Sequence, residues 1–179
     1  MLPLGDRAPK FENLLGTDGK RYSLDSFGDK PLLAVVFSCN HCPYVKDYEG
    51  RMVEIQRDYA SKGFQMVAIN SNDEKSYPED GYPEMVKRAK ERGFNFAYLR
   101  DADQKVVEAY EGVCTPHVFL FDAERLLRYR GRIDDSRDAS RVRSPDLRNA
   151  LDDLIKGVPV RVADTKPFGC SIKWYSKES

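Results

Sequence analysis

A chain of 179 residues, 41% hydrophobic and 32% charged, has the composition of an ordinary globular protein and is long enough to bury a sizeable core. Its 29 Lys and Arg balance 29 Asp and Glu, which excludes a whole-chain field that would draw nucleic acid or anionic lipid. The start, MLPLGDRAPKF, has no charged segment leading into an apolar one, and no apolar run approaches a bilayer span, so the sequence predicts a cytoplasmic protein without secretory signal or membrane partner.

Residues 11–24, FENLLGTDGKRYSL, carry two strand-like pieces around Asp18-Gly19, which predicts a hairpin. LLAVVF, 32–37, has no polar face and suits a central strand covered on both sides. After Pro43 the period changes: Val45, Tyr48, Met52, Ile55 and Tyr59 step by three and four along one helix face. Pro43 fits a first helical turn and Gly63 a stop. FQMVAI, 64–69, is a second buried strand; a polar loop over 70–81 leads to a helix over 82–92, a strand FAYL at 96–99 and a helical piece over 104–110. HVFLFD and LLRYRGRI form a hairpin around Asp122 to Arg125, and a last helix fits 145–156, with Ser144 as cap, Pro145 opening it and Gly157 closing it. The segment Arg125–Arg148 holds eight arginines but also four aspartates, and reads as a solvated face.

This order predicts one α/β domain over 1–179, a mixed central sheet with helices on both faces in three layers, with residues 1–30 as a hairpin extension, an inserted helix–strand–helix, and 158–179 as a C-terminal tail. Ligand chemistry in such sheets gathers at the carboxyl ends of strands, and Cys39 sits at one.

Cysteines are too few for a secreted disulfide framework, yet Cys39 and Cys42 stand two residues apart in VVFSCNHCPY, where strand gives way to helix. Unpaired N–H groups and the helix dipole at such a junction favour a thiolate. A free cysteine of pKa about 8.5 is only about 3% ionised at pH 7, so lowering it to about 7 takes roughly 2 kcal/mol, within reach of a helix end plus one neighbouring charge. His41, between the two, is placed to supply that charge or a hydrogen bond. Cys39, just before the helix, is expected to be the exposed nucleophile, and Cys42, tucked into the first turn, the resolving thiol.

With these residues the chain resembles the thioredoxin superfamily. Thr115-Pro116 in GVCTPHVFLFD stands where such proteins place a cis-proline facing the dithiol, the preceding residue offering its backbone to an extended substrate. More narrowly the chain is similar to the peroxiredoxin-like branch that keeps a C-x-x-C, through GDRAPKFENLLGTDGKRYSLDSF, FSCNHCPYVKDY, CTPHVFLFD, RYRGRIDD and GCSIKW. The resemblance implies a thioredoxin-like fold and a thiol–disulfide oxidoreductase in which Thr115, Pro116 and Asn40 meet the substrate. His at position 41 is similar to protein disulfide isomerases and periplasmic oxidases, which implies a potential above thioredoxin's, roughly −200 to −260 mV. Leu33 stands where thioredoxin carries a buried acid, which leaves the proton acceptor unassigned.

Peroxidase chemistry is the main rival. Laid over peroxiredoxins, Cys42 falls at the peroxidatic position, but Cys39 replaces the Thr or Ser that orients the peroxide and Pro116 replaces the stabilising arginine. Preorganised donors supply much of such catalysis, so disulfide exchange ranks first.

Cys114 and Cys170 are candidate auxiliary redox thiols, with a bridge between them as an open alternative and a reduced, buried residue as the plain reading of Cys114. Trp174 is expected to pin the tail by burying its ring. Zinc is the third hypothesis, with Cys39, Cys42, Cys114, Cys170, His41 and His117 as donors; only one close-spaced couple exists, so no metal site is assigned. No Gly-rich phosphate loop is present, and no organic cofactor is expected. The expected partners are a disulfide-containing protein or a low-molecular-weight thiol, with an upstream reductant, for a monomer or homodimer.

Overall fold

The computed structural model describes residues 1–176; the end of the expected tail, 177–179, lies outside the described residues. The opening hairpin forms from β1 (Leu14–Gly16) and β2 (Arg21–Tyr22). Gly19, at φ +82°, takes the left-handed turn position that a side chain would resist. The hairpin is built into the main sheet rather than appended to it, because β1 also pairs with β5 (Ala97–Arg100).

The apolar run becomes β3 (Leu32–Phe37), followed by α1 (Pro43–Tyr59) and β4 (Phe64–Asn70). Next come α2 (Tyr82–Glu91), β5, α3 (Lys105–Tyr110) and the short β6 (Cys114–Thr115). The hairpin of β7 (His117–Phe121) and β8 (Leu127–Gly131), then α4 (Asp146–Ile155) and a two-residue β9 (Cys170–Ser171), complete the described elements. The seven-stranded sheet runs β2-β1-β5-β4-β3-β7-β8, with β3, β4 and β5 parallel and the other pairings antiparallel.

Alternation along the central strands explains why they lack a polar face. Ala34, Val36, Met66, Ala68, Val118 and Leu120 point to one side, against Tyr48 and Met52 of α1, Met85 of α2 and Leu147 of α4. Leu33, Val35, Phe37, Val67, Ile69 and Phe119 point to the other, against Val107 and Tyr110 of α3 and the N-terminal Phe11, Leu24 and Phe27. Both layers are buried, which fixes strand register because a one-residue slip would exchange them.

One local expectation changes. Ser144 does not cap α4: its hydroxyl donates to the Asp146 side chain at 2.7 Å, and Pro145 lies just outside the helix. The arginine-rich segment is neutralised locally, with Arg128 on Asp122, Arg130 on Asp164, Arg132 on Asp146 and Arg148 on Asp58. Among the described residues no helix is long and apolar enough to cross a membrane.

His117 gives the fold an acid limit. It is fully buried on β7, its Nδ1 accepts the Val113 N–H at 3.2 Å, and burial together with Arg130 pushes its pKa down to about 4. An unfolded histidine titrates near 6.5, so between these values the unfolded chain holds a proton that the native chain refuses. Stability is therefore full above pH 6.5 and falls by roughly 3 kcal/mol as the pH drops through 4. Denaturant midpoints measured against pH should show this slope in the wild type and lose it in His117→Gln.

Candidate active site

Chain geometry places the two sulfurs differently from the sequence expectation. The helix begins one residue after Cys42, so Cys42 rather than Cys39 is the N-cap, and Lys46 N–H makes the first helical bond to its carbonyl at 3.0 Å. Cys39 lies in the turn between β3 and α1 and is 2% exposed, not an open nucleophile; Cys42 is 0% exposed. The electrostatics follow this placement. Cys42 is pulled down to about 4, first by the hydrogen bond from the Cys39 thiol, against the cost of burial, and further by the Cys170 thiol and the Val45 N–H of the first helical turn. Cys39 is pushed well up, by burial, by giving its hydrogen to Cys42 and by the Asp80 carboxylate. One proton is shared by the pair, with the charge on Cys42.

Thr115 touches both sulfurs. Its hydroxyl lies 3.3 Å from Cys39 Sγ, and its carbonyl oxygen lies 3.5 Å from Cys42 Sγ, where it accepts only when that sulfur carries the proton. The Thr115–Pro116 peptide is cis, and both residues are buried. The edge expected to receive a substrate chain is therefore covered.

The polar loop after β4 packs on the dithiol turn. Asp80, fully buried in a 3-10 turn (Pro78–Asp80), accepts the Asn40 N–H at 2.7 Å, Asn72 Nδ2 at 3.1 Å and Asn70 Nδ2 at 3.3 Å, and pairs with His41 Nδ1. His41 is stacked on Tyr77, with ring centroids 5.2 Å apart. Asn40 does not face a substrate: its amide donates to the Glu79 carbonyl and accepts from Tyr98, both at 2.8 Å, which ties the dithiol turn to the loop. Asp80 is the residue sequence reading missed. The signal was an Asn/Asp-rich loop at the carboxyl end of β4, beside the dithiol strand, where such sheets place their chemistry.

Cys39 Sγ, a nitrogen of His41 and the Asp80 carboxylate lie within 4.8 Å of one another. These three donors match by count an open zinc site, and metal there would occupy Cys39. They differ from the donor set counted in the sequence, since Cys42, Cys114, Cys170 and His117 stand outside the group.

The tail brings Cys170 to the dithiol. In the β6–β9 ladder Thr115 pairs with Cys170 and Cys114 with Ser171, so Cys114 and Cys170 point to opposite faces, against a bridge between them. Cys170 packs on the cluster of Cys39, Cys42 and Val45. Cys114 turns away, its sulfur 3.9 Å from the Pro116 carbonyl, and burial first, then the charge on Cys42, pushes its thiol up to about 12. The tail is not pinned by Trp174, which is 50% exposed. Ile172 enters the core instead, and Phe168 packs on Tyr44 and Tyr48.

The fold has relatives among known proteins. The family profile described as Redoxin matches residues 3–151. An uncharacterized conserved protein from Geobacillus kaustophilus is 41% identical, with 99% of this chain and 95% of that one covered at a TM-score of 0.93. A hypothetical protein from Sinorhizobium meliloti 1021 is 39% identical over 99% and 97% of the two chains, also at 0.93. A candidate thiol:disulfide interchange protein DsbE from Chlorobium tepidum is 25% identical over 73% and 85%, at a TM-score of 0.62. Comparison with the curated proteins finds no match.

Proposed function

Because this chain belongs to the redoxin family, with a thioredoxin-like fold, we propose that it is a thiol–disulfide oxidoreductase working through Cys39 and Cys42. The observation that carries the reading is that both sulfurs of the Cys39–Cys42 pair touch Thr115, the residue before a cis-proline. Because both sulfurs are enclosed, the tail must first move off the Thr115 edge; the thiolate of Cys42 then attacks one sulfur of a partner's disulfide, and the partner's other sulfur leaves as a thiolate. Cys39 then gives its proton to the His41–Asp80 pair, attacks Sγ of Cys42 and releases the partner's second sulfur, which takes up a proton. This order reverses the roles that the sequence alone assigns to the two cysteines. The partner is a protein or low-molecular-weight disulfide, and an upstream thiol reductant closes the cycle.

The low pKa of Cys42, about 4, favours peroxidase chemistry as the second reading. Against it, the side chains that bond to the pair are Thr115 and the Cys170 thiol, neither of them a cation, whereas Arg137, whose charge acts on Cys42, is engaged with Asp47 at 2.7 Å. Turnover of a model disulfide with a small dithiol as reductant tests the two. Cys39→Ser and Cys42→Ser should each lose roughly a thousandfold, because the pair acts as a unit, while Cys114→Ser stays near wild type. Rapid hydrogen peroxide consumption that depends on Cys42 and survives in Cys39→Ser would replace this reading with a peroxidase.

A further inference from the structure

Both sulfurs of the dithiol are enclosed, at 2% and 0% exposure, and the C-terminal tail forms part of their cover through Cys170. Strand β9 lies antiparallel on β6, with Cys170 directly opposite Thr115, on the backbone edge where an extended substrate is expected to pair. The fit is close. A Cβ built on Gly169 would stand 2.0 Å from the Thr115 carbonyl oxygen and 2.7 Å from its carbon, so only glycine lets the tail approach that backbone. Cys170 packs on the dithiol cluster and is half-buried, so of the three clustered sulfurs it is the one that reaches the surface.

We propose that Cys170 is a third exchange thiol, held by a tail that mimics a substrate strand, and that it carries the disulfide from the enclosed Cys39–Cys42 pair to the surface as a Cys42–Cys170 bond. The step rests on the reading of Cys39 and Cys42 as the exchanging pair. The Cys170 thiolate attacks Sγ of Cys42; the S42–S170 bond forms, the S39–S42 bond breaks, and Cys39 leaves as a thiolate that takes up the proton Cys170 gave up. No electrons are gained or lost by the protein, since the partner's disulfide has already supplied the oxidising equivalents. The step also answers a topological need: an external reductant reaches a half-exposed sulfur more readily than one behind the tail. In the reduced protein Cys170 is held as a thiol, pushed up to about 11 by burial and by the thiolate of Cys42, and the second of these causes vanishes once Cys42 is in a disulfide.

The test is disulfide mapping by mass spectrometry after equilibration in buffers of a small thiol and its disulfide, followed by acid quench. Cys39→Ser should convert almost wholly to the Cys42–Cys170 link. Wild type should show that link beside Cys39–Cys42. Gly169→Ala should lose the Cys42–Cys170 link while Cys39–Cys42 still forms, which doubles as proof that the variant folds. Should Gly169→Ala fail to fold, Cys170→Ser gives the same answer kinetically: external reduction of its Cys39–Cys42 disulfide should slow by roughly tenfold. Folded Cys39→Ser that carries only the buffer thiol on Cys42, with no link to Cys170, overturns the proposal. Failure of the underlying reading looks different: wild type and Cys170→Ser would then both lack Cys39–Cys42.

Discussion

Asp80→Asn is expected to slow release of a partner from its mixed disulfide on Cys42 by about a hundredfold near neutral pH, the usual scale of a lost general base. Cys39 must lose a proton before it resolves that intermediate, and burial, the hydrogen bond to Cys42 and the Asp80 charge all hold the proton on. The acceptor within 4.8 Å is the pair of His41 and Asp80. An amide at position 80 accepts no proton, so the variant's resolution rate should climb with pH where the wild-type rate is flat. Because Asp80 also receives the Asn40 N–H and two Asn side chains, the variant alone could loosen the turn. The alkylation rate of Cys42 distinguishes the cases: it reports the first sulfur and should move by less than about threefold. His41→Gln should reproduce the changed pH profile with the Asp80 contacts to Asn40 and Asn72 kept. Equal losses in alkylation and resolution would reduce Asp80 to a structural support.

Much of this arrangement was legible because it is local. The apolar run 32–37 and the three–four stepping from Val45 to Tyr59 record the burial of β3 and α1, and Pro43 marks the helix start to the residue. Cys39, Cys42 and Thr115 are legible because a strand–helix junction and a residue before a proline carry their own spacing. Asp80 was not, because nothing within ten residues separates it from Asp73, Glu74 or Glu79; what selects it is contact with residues 39 and 40 positions away. Asn40 was misread for the same reason, its partners Glu79 and Tyr98 being remote in sequence. The tail shows how size misleads. Trp174 has the larger ring, but it is Ile172, next after β9, that is buried, while the indole stays half-exposed. The choice between Cys39 and Cys42 as the charged sulfur depends on contacts with Asp80, Thr115 and Cys170, all remote in sequence, which the C-x-x-C spacing does not show.

Cys42 should stay ionised far below the range of an ordinary thiol. With its pKa at about 4, it is about 99% thiolate at pH 6, where a free cysteine of pKa about 8.5 is about 0.3% ionised, a difference of roughly 300-fold in reactive fraction. Ultraviolet absorbance of the thiolate, followed against pH, should show one sulfur already ionised at pH 6 and bleaching only as the pH falls through 4. The sign follows from the donors. Each N–H or S–H aimed at Cys42 stabilises its charged form, so the folded value lies below the unfolded one, and the gain is complete above the free-thiol pKa and lost through 4. Since the Cys39 thiol is the largest contributor, Cys39→Ala should raise the midpoint by roughly one to two pH units, more than Cys170→Ala does. Cys42→Ser should abolish the signal. If the acid thiolate instead survived in Cys42→Ser and disappeared in Cys39→Ala, the charge would sit on Cys39, and the order of attack would return to the one that the C-x-x-C spacing suggests.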